Sequence, residues 1–273
     1  MPHLSSPAPE PRSALQLKQT ASYQRSEARA LASLLGIDEG AVSLILPMLW
    51  LGKSDLGSAL YDCVGPDHFA LHEAQEFFYH GPWQENETYH GETVLQPEPA
   101  MDPTRLLITT DFKTGDGHVV VTLKSTLRLL AKAEAAQSLS APTHKTRAMG
   151  PIDMSLPAID QAMIHDYAVL SGDDNPVHLD VSAARMLGLS NTIVHGMMVM
   201  GLTQQAFTKP FTGLDADPFP LRFTCRFLLP LLSGQAAGIS KKTSDQDGRF
   251  SERLTVLSDD GPHAMAHIQY HAV

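Results

Sequence analysis

The sequence predicts an α+β fold of two similar halves, each a curved antiparallel sheet wrapped around one central helix. Three observations carry this. Two segments, 41–52 and from Gly196 to about Phe207, read as helices that are apolar on nearly every side. Such a helix must be covered all round, so a sheet has to curl about it rather than touch one face. Each is followed by four strand-like runs. The length of 273 residues also corresponds to about two average domains.

The elements follow in order. Met1 to Glu10 and the next two residues are rich in Pro and Ser and read as a flexible lead without an apolar signal core. Residues 13–35, rich in Ala, Leu, Gln, Glu and Arg, predict a surface helix stopped by Gly36. The apolar helix of 41–52 begins near Pro47, a residue tolerated in a first turn. Strands are expected at 69–80, 88–96, 104–112 and 117–130, marked by Phe77, Phe78, Tyr79, Ile108 and Val119 to Val121. Thr114-Gly115-Asp116-Gly117 is a hairpin signal. Residues 139–150 read as a linker between a first domain, 13–138, and a second, 151–273. In the second, a helix at 159–170 leads into a turn-rich loop at 171–178. A short helix over 181–187 follows, with Asp180 as its N-cap and Gly188 as its stop. After the second apolar helix come strands at 220–230, 234–243, 249–258 and 263–272. The repeated order suggests a duplicated unit without residue-level repetition.

Composition bounds the function. With 43% hydrophobic and 18% charged residues the chain is ordinary globular protein. A net charge of -10 argues against nucleic acid or an anionic membrane as partner. No apolar run reaches the ~18–20 residues that cross a bilayer. Cys63 and Cys225 make no disulfide framework and no zinc spacing. Small buried thiols of this kind fit a cytoplasmic location.

The chemistry points to Tyr167 through Asp180. Asp173 and His178 lie five residues apart, with Gly172 and Pro176 forcing turns around them. A tight loop of that kind can hold one water between a carboxylate and an imidazole, a general acid/base pair. Ser-Gly-Asp-Asp-Asn-Pro also suits a plain surface turn before a helix. Further on, Gly196 opens the second apolar helix. Unpaired amides at a helix start stabilise negative charge, as in an oxyanion hole, although packing alone also explains such a glycine. His195 reads as a structural, hydrogen-bonding histidine.

The composite Ser171-Gly172-Asp173-x-Asn175-Pro176-x-His178-x-Asp180, with Ala184, Gly188 and Ile193-x-His195-Gly196-Met197, resembles the signature of the MaoC-like (R)-specific enoyl-CoA hydratases, or hydratase 2. The first half is similar, more weakly, to the degenerate half of fused two-domain members, and it lacks the Asp-x-Asn-Pro-x-His loop. The resemblance implies a tandem double hot-dog fold. It implies reversible syn hydration of trans-2-enoyl thioesters, on CoA or an acyl-carrier protein, to (R)-3-hydroxyacyl thioesters. Asp173 and His178 would position and activate the water, Asn175 would support the loop, and the Gly196 amide would hold the thioester oxygen. No cofactor and no metal are implied, and a homodimer is compatible.

In that frame Met48, Leu49 and Trp50 are candidates to line an acyl tunnel, with core packing as the plainer reading. Arg222, Arg226, Lys241 and Lys242 are candidates for CoA phosphates, with a solvated basic face as the alternative. No residue of 1–138, His72 and His80 included, is expected to supply acid/base chemistry. The competing functions are a hydratase dedicated to a short branched or dicarboxylic acyl-CoA of the itaconyl or mesaconyl type and a non-catalytic acyl-CoA binding module. A metal site of Asp173, Asp174, His178 and Asp180 is the remaining one.

Overall fold

The computed structural model describes residues 14–37, 41–81, 83–98, 102–132, 134, 139, 151–208, 220–246 and 249–270. The lead, nearly all of the linker and part of the turn at 245–248 lie outside this set. The first half runs β1 (Leu15–Ser22), α1 (Arg25–Leu34), α2 (Leu46–Gly52), α3 (Leu56–Val64), β2 (His68–Tyr79), β3 (Thr88–Glu98), β4 (Asp102–Lys113) and β5 (Val119–Ala131). The second begins with β6 (Met154–Ser155), α4 (Gln161–Ser171), α5 (Pro176–Leu179), α6 (Val181–Met186) and α7 (Gly196–Leu202). A 3-10 turn (Thr203–Ala206) then leads to β7 (Pro220–Phe227), β8 (Gly238–Gln246), β9 (Arg249–Ser258) and β10 (Gly261–Tyr270).

All ten strands form one sheet in the order β1-β3-β4-β5-β2-β7-β10-β9-β8-β6. Read outward from the centre, the first half is β2-β5-β4-β3-β1 and the second is β7-β10-β9-β8-β6. Each strand of one half therefore has a counterpart five places on in the other. The halves join where β2 and β7 pair antiparallel, from Ala74 opposite Arg226 to Phe78 opposite Arg222. The two buried rings at the seam, Phe77 and Phe223, stand directly opposite each other.

The two apolar segments behave as their composition requires. In α2, Leu46, Pro47, Leu49, Trp50 and Leu51 are buried. In α7, Met197 through Leu202 are all buried. Both belong to one hydrophobic core that also takes in Phe77, Val121, Phe223 and Ile268 from the sheet. Pro47 sits in the first turn of α2, where its missing N–H costs nothing. The second apolar helix keeps α geometry only to Leu202 and continues as a 3-10 turn to Ala206.

The surface helix expected over 13–35 is half strand. Leu15 to Ser22 alternate between half-buried and exposed positions and pair antiparallel with β3. Only Arg25–Leu34 is helical. Helix propensity of Leu, Gln and Lys is worth tenths of a kcal/mol per residue, and an open sheet edge outweighs it. Cys225 is buried, Cys63 is half-buried, and both are free. No helix among the described residues is long and apolar enough to cross a membrane.

Candidate active site

The loop after α4 is set by local chemistry. Asp160 caps α4 by accepting from the Met163 amide at 2.9 Å. Gly172 ends the helix at φ +76, in the left-handed region, with its amide donating to Ala168 O. The chain then turns through Asp173 and Asp174. The Asp173 amide donates to Ser171 Oγ at 3.2 Å, and the Asn175 amide donates to Asp173 Oδ1 at 3.4 Å. Asn175 Oδ1 accepts from the Val177 amide, which caps the single turn of α5. Pro176 occupies the first position of that turn. Asp180 caps α6 as expected, accepting from the Ser182 amide at 2.7 Å.

This turn brings His178 back toward Asp173. The Asp173 carboxylate and ring nitrogens of His178 and His195 all lie within 4.8 Å of one another. His178 is buried while Asp173 is exposed. Its Nδ1 is 2.8 Å from the Ile193 carbonyl, which can only accept. Nδ1 therefore carries the proton and Nε2 keeps a free lone pair. Burial lowers the His178 pKa, against the opposing pull of the Asp173 charge and the Ile193 bond. The imidazole is neutral at pH 7 and able to take a proton.

His195 completes the cluster. Its ring stacks on His178 with centroids 3.8 Å apart and planes 25° apart, and it contacts Tyr167 at 4.9 Å. Its Nε2 donates to the Asp173 carbonyl at 3.0 Å. The structural role expected for His195 is thus met at the centre of the site. Burial and the neighbouring His178 lower its pKa to about 4. Gln161, which the sequence does not flag, braces the turn: its Nε2 donates to His178 O at 2.9 Å and its Oε1 accepts from Thr192 Oγ1 at 2.6 Å.

Gly196 follows His195 directly and begins α7, which has no side-chain cap. From Thr192 to Gln204 it is the single residue not fully buried. The uncapped helix start therefore has an opening at that one place. A Cβ there would press on the Phe227 ring at 3.2 Å, so a side chain would require that ring to give by a few tenths of an ångström. His195 links the Asp173–His178 pair to the leading amide of α7, since it stacks on His178 and directly precedes that amide.

The same cluster could be read as a metal site, but its geometry is poor for one. The lone pairs of stacked imidazoles lie in nearly parallel planes and do not converge on a point. His195 Nε2 is already committed to a carbonyl. Asp180, another candidate ligand, is committed to its helix cap.

The outlying candidates have settled contacts. Trp50 stacks on Tyr89 at 5.2 Å and meets Trp83 and Phe112 edge-on, and Leu49 is fully buried, so both are core residues. Arg222 pairs with Glu76 and covers the Phe78 ring. Lys241 donates to Ala206 O at 2.8 Å and Thr208 Oγ1 at 3.1 Å, beside the buried Glu252. Arg226 and Lys242 are exposed. His80 is exposed and bonds Thr122 Oγ1. His72 is different. It sits near enough to Asp173 for the carboxylate charge to act on it, while burial takes its pKa down to about 4.

Comparison with known proteins bears on the family and the fold. Residues 135–259 match the family model described as MaoC like domain. Among curated proteins, the 3-hydroxyacyl-thioester dehydratase X of Mycobacterium tuberculosis is 29% identical over 111 residues, 41% of this chain and 37% of that protein. The aligned stretch thus spans little more than a third of this relative. Among solved structures, HtdX of Mycobacterium tuberculosis superposes with a TM-score of 0.65 at 19% identity, over 94% of this chain and 99% of that one. A conserved hypothetical protein of the same bacterium, described as having a double hot-dog fold, superposes with a TM-score of 0.61 at 12% identity, covering 94% and 95%. At these identities the structures speak for the fold alone.

Proposed function

Since residues 135–259 carry a MaoC-like domain within a double hot-dog fold, we propose that the protein is a hydro-lyase adding water reversibly across trans-2-enoyl thioesters, with a CoA or acyl-carrier thioester as substrate. The observation that supports this reading is the Asp173 carboxylate beside a neutral His178 with its Nε2 lone pair free, with His195 stacked on His178 and directly preceding the leading amide of α7.

An enoyl thioester is electrophilic at C3 only when its carbonyl oxygen can accept charge. The Gly196 amide would donate to that oxygen and stabilise the enolate. A donor of this type is typically worth roughly 2.7–4 kcal/mol of barrier. Asp173 accepts one hydrogen bond from the water and orients it, and His178 Nε2 takes its proton as the oxygen bonds to C3. The imidazolium so formed is stabilised by the Asp173 charge. It returns the proton to C2 on the same face, so H and OH add syn and the site is restored. One acid/base centre serves both transfers, and the product is the (R)-3-hydroxyacyl thioester. Asn175 holds the turn that keeps the pair together. The MaoC-like relative named above as a 3-hydroxyacyl-thioester dehydratase supports the substrate class.

The test is a spectrophotometric hydration assay on enoyl-CoAs of increasing chain length, with the chirality of the product determined. Asp173→Asn and His178→Gln should each slow crotonyl-CoA hydration by orders of magnitude while circular dichroism stays unchanged. Near-native turnover in either variant removes the assignment.

A further inference from the structure

The first half places one buried imidazole within range of the Asp173 charge. His72 lies on β2 where its pairing with β5 slips between His72 and Ala74. Such irregularities re-aim side chains. The His72 and Phe227 rings meet with centroids 4.9 Å apart and planes tilted by 57°. Phe227 is the same ring that lies against Gly196. His72 also feels the charge of Asp173, and its ring has hydrogen-bonding interactions with the Ala74 backbone and the Gln75 side chain. Its Nε2 is buried and has no hydrogen-bond partner among the described residues. A buried polar atom without a partner is costly and calls for one that the free protein does not supply.

We propose that His72 is a specificity-determining residue whose Nε2 hydrogen-bonds the oxygen on C3 of the bound acyl thioester. The proposal rests on the hydration reading above. His72 and Gly196 both touch the Phe227 ring, but His72 is the one that feels the Asp173 charge, so the ligand oxygen assigned to it is one on the Asp173 side. That is the oxygen that enters at C3, as water before the reaction and as hydroxyl after it. His72 is neutral at working pH and meets the ligand as an uncharged hydrogen-bonding group. It would let the non-catalytic half distinguish a 3-hydroxyacyl thioester from a saturated one of equal length and charge.

Calorimetric titration with (R)-3-hydroxybutyryl-CoA and with butyryl-CoA tests this. The wild type should bind the hydroxy compound more tightly. His72→Phe keeps a ring against Phe227 but loses the nitrogen. It should weaken hydroxybutyryl-CoA by about tenfold, the value of one hydrogen bond, and leave butyryl-CoA unchanged. His72→Gln, whose amide nitrogen reaches a similar point, should retain most of the preference. In the wild type, the His72 Nε2 resonance should move with hydroxybutyryl-CoA and stay with butyryl-CoA. Equal loss for both ligands, no loss for either, or a stationary His72 resonance overturns the proposal. The resonance decides if His72→Phe does not fold. A wild type that hydrates crotonyl-CoA without preferring the hydroxy ligand overturns this proposal and spares the hydration reading. One that does neither overturns both.

Discussion

Replacing Gly52 by alanine should cripple turnover from the half of the molecule that carries no catalytic loop. Gly52 ends α2, and α2 packs against α4. A Cβ on Gly52 would stand 2.0 Å from the Ser171 carbonyl oxygen and 3.2 Å from its carbon. Ordinary contact begins near 3.4 Å, so the two backbones must part by about 1.4 Å. Gly172 faces back the same way, with a Cβ position 2.8 Å from Gly52 O. Both partners are backbone, and neither can swing aside as a side chain would. The φ of Gly52 lies outside the left-handed region, so only the contact forbids a side chain there. The displacement passes directly to the chemistry, because Ser171 Oγ accepts from the Asp173 amide. A misplacement of 1 Å costs on the order of 100-fold in rate. Overpacking of this kind costs about 1–3 kcal/mol of stability. The assay is steady-state hydration of crotonyl-CoA by Gly52→Ala beside a thermal melt. The expected result is a folded protein with a lowered melting point, kcat down about 100-fold and KM changed much less. A folded Gly52→Ala enzyme with native kcat would refute the idea that the first half fixes the position of the Asp173 turn.

Two further outcomes follow from the site. His72, His178, His195 and His263 all have pKa values lowered by burial, to about 4 for His72 and His195. Their stabilisation is therefore complete above the unfolded value of about 6.5 and is lost as pH falls below it, down to about 4 for His72 and His195 and in the same direction for His178 and His263. Each group withdraws up to about 1.4 kcal/mol per pH unit there. Urea melts from pH 8 to pH 4.5 should show flat stability and then a decline beginning near pH 6.5, and a maximum at pH 5 would contradict these assignments. The parallel stacking of His178 and His195 predicts that dialysis against a chelator leaves hydration unchanged. A loss that zinc restores would show that the cluster opens to hold an ion.

Local patterns made much of this legible in one dimension. The eight strands expected from alternating or apolar runs, β2–β5 and β7–β10, and the turns at Gly117 and Gly188, follow from side-chain period and positive φ, which are properties of neighbouring residues. So does the cap at Asp180. The loop motif placed Asp173 and His178 together because five residues closed by Gly172 and Pro176 leave few ways to turn. The strand at Leu15–Ser22 was hidden, since only the free edge of β3 turns a helix-forming composition into sheet.

What the chain determines by itself is therefore the set of elements and the bend that pairs an acid with an imidazole, since both depend on contacts a few residues apart. The fold decides the rest. Which nitrogen of His178 keeps its lone pair depends on a carbonyl fifteen residues on, at Ile193. The seat of the Asp173 turn on Gly52, and the nearness of His72 to the Asp173 charge, depend on two halves meeting at the β2–β7 seam. Close packing across that distance leaves no periodic trace, because a contact between residues over a hundred positions apart constrains one atom pair and not a pattern.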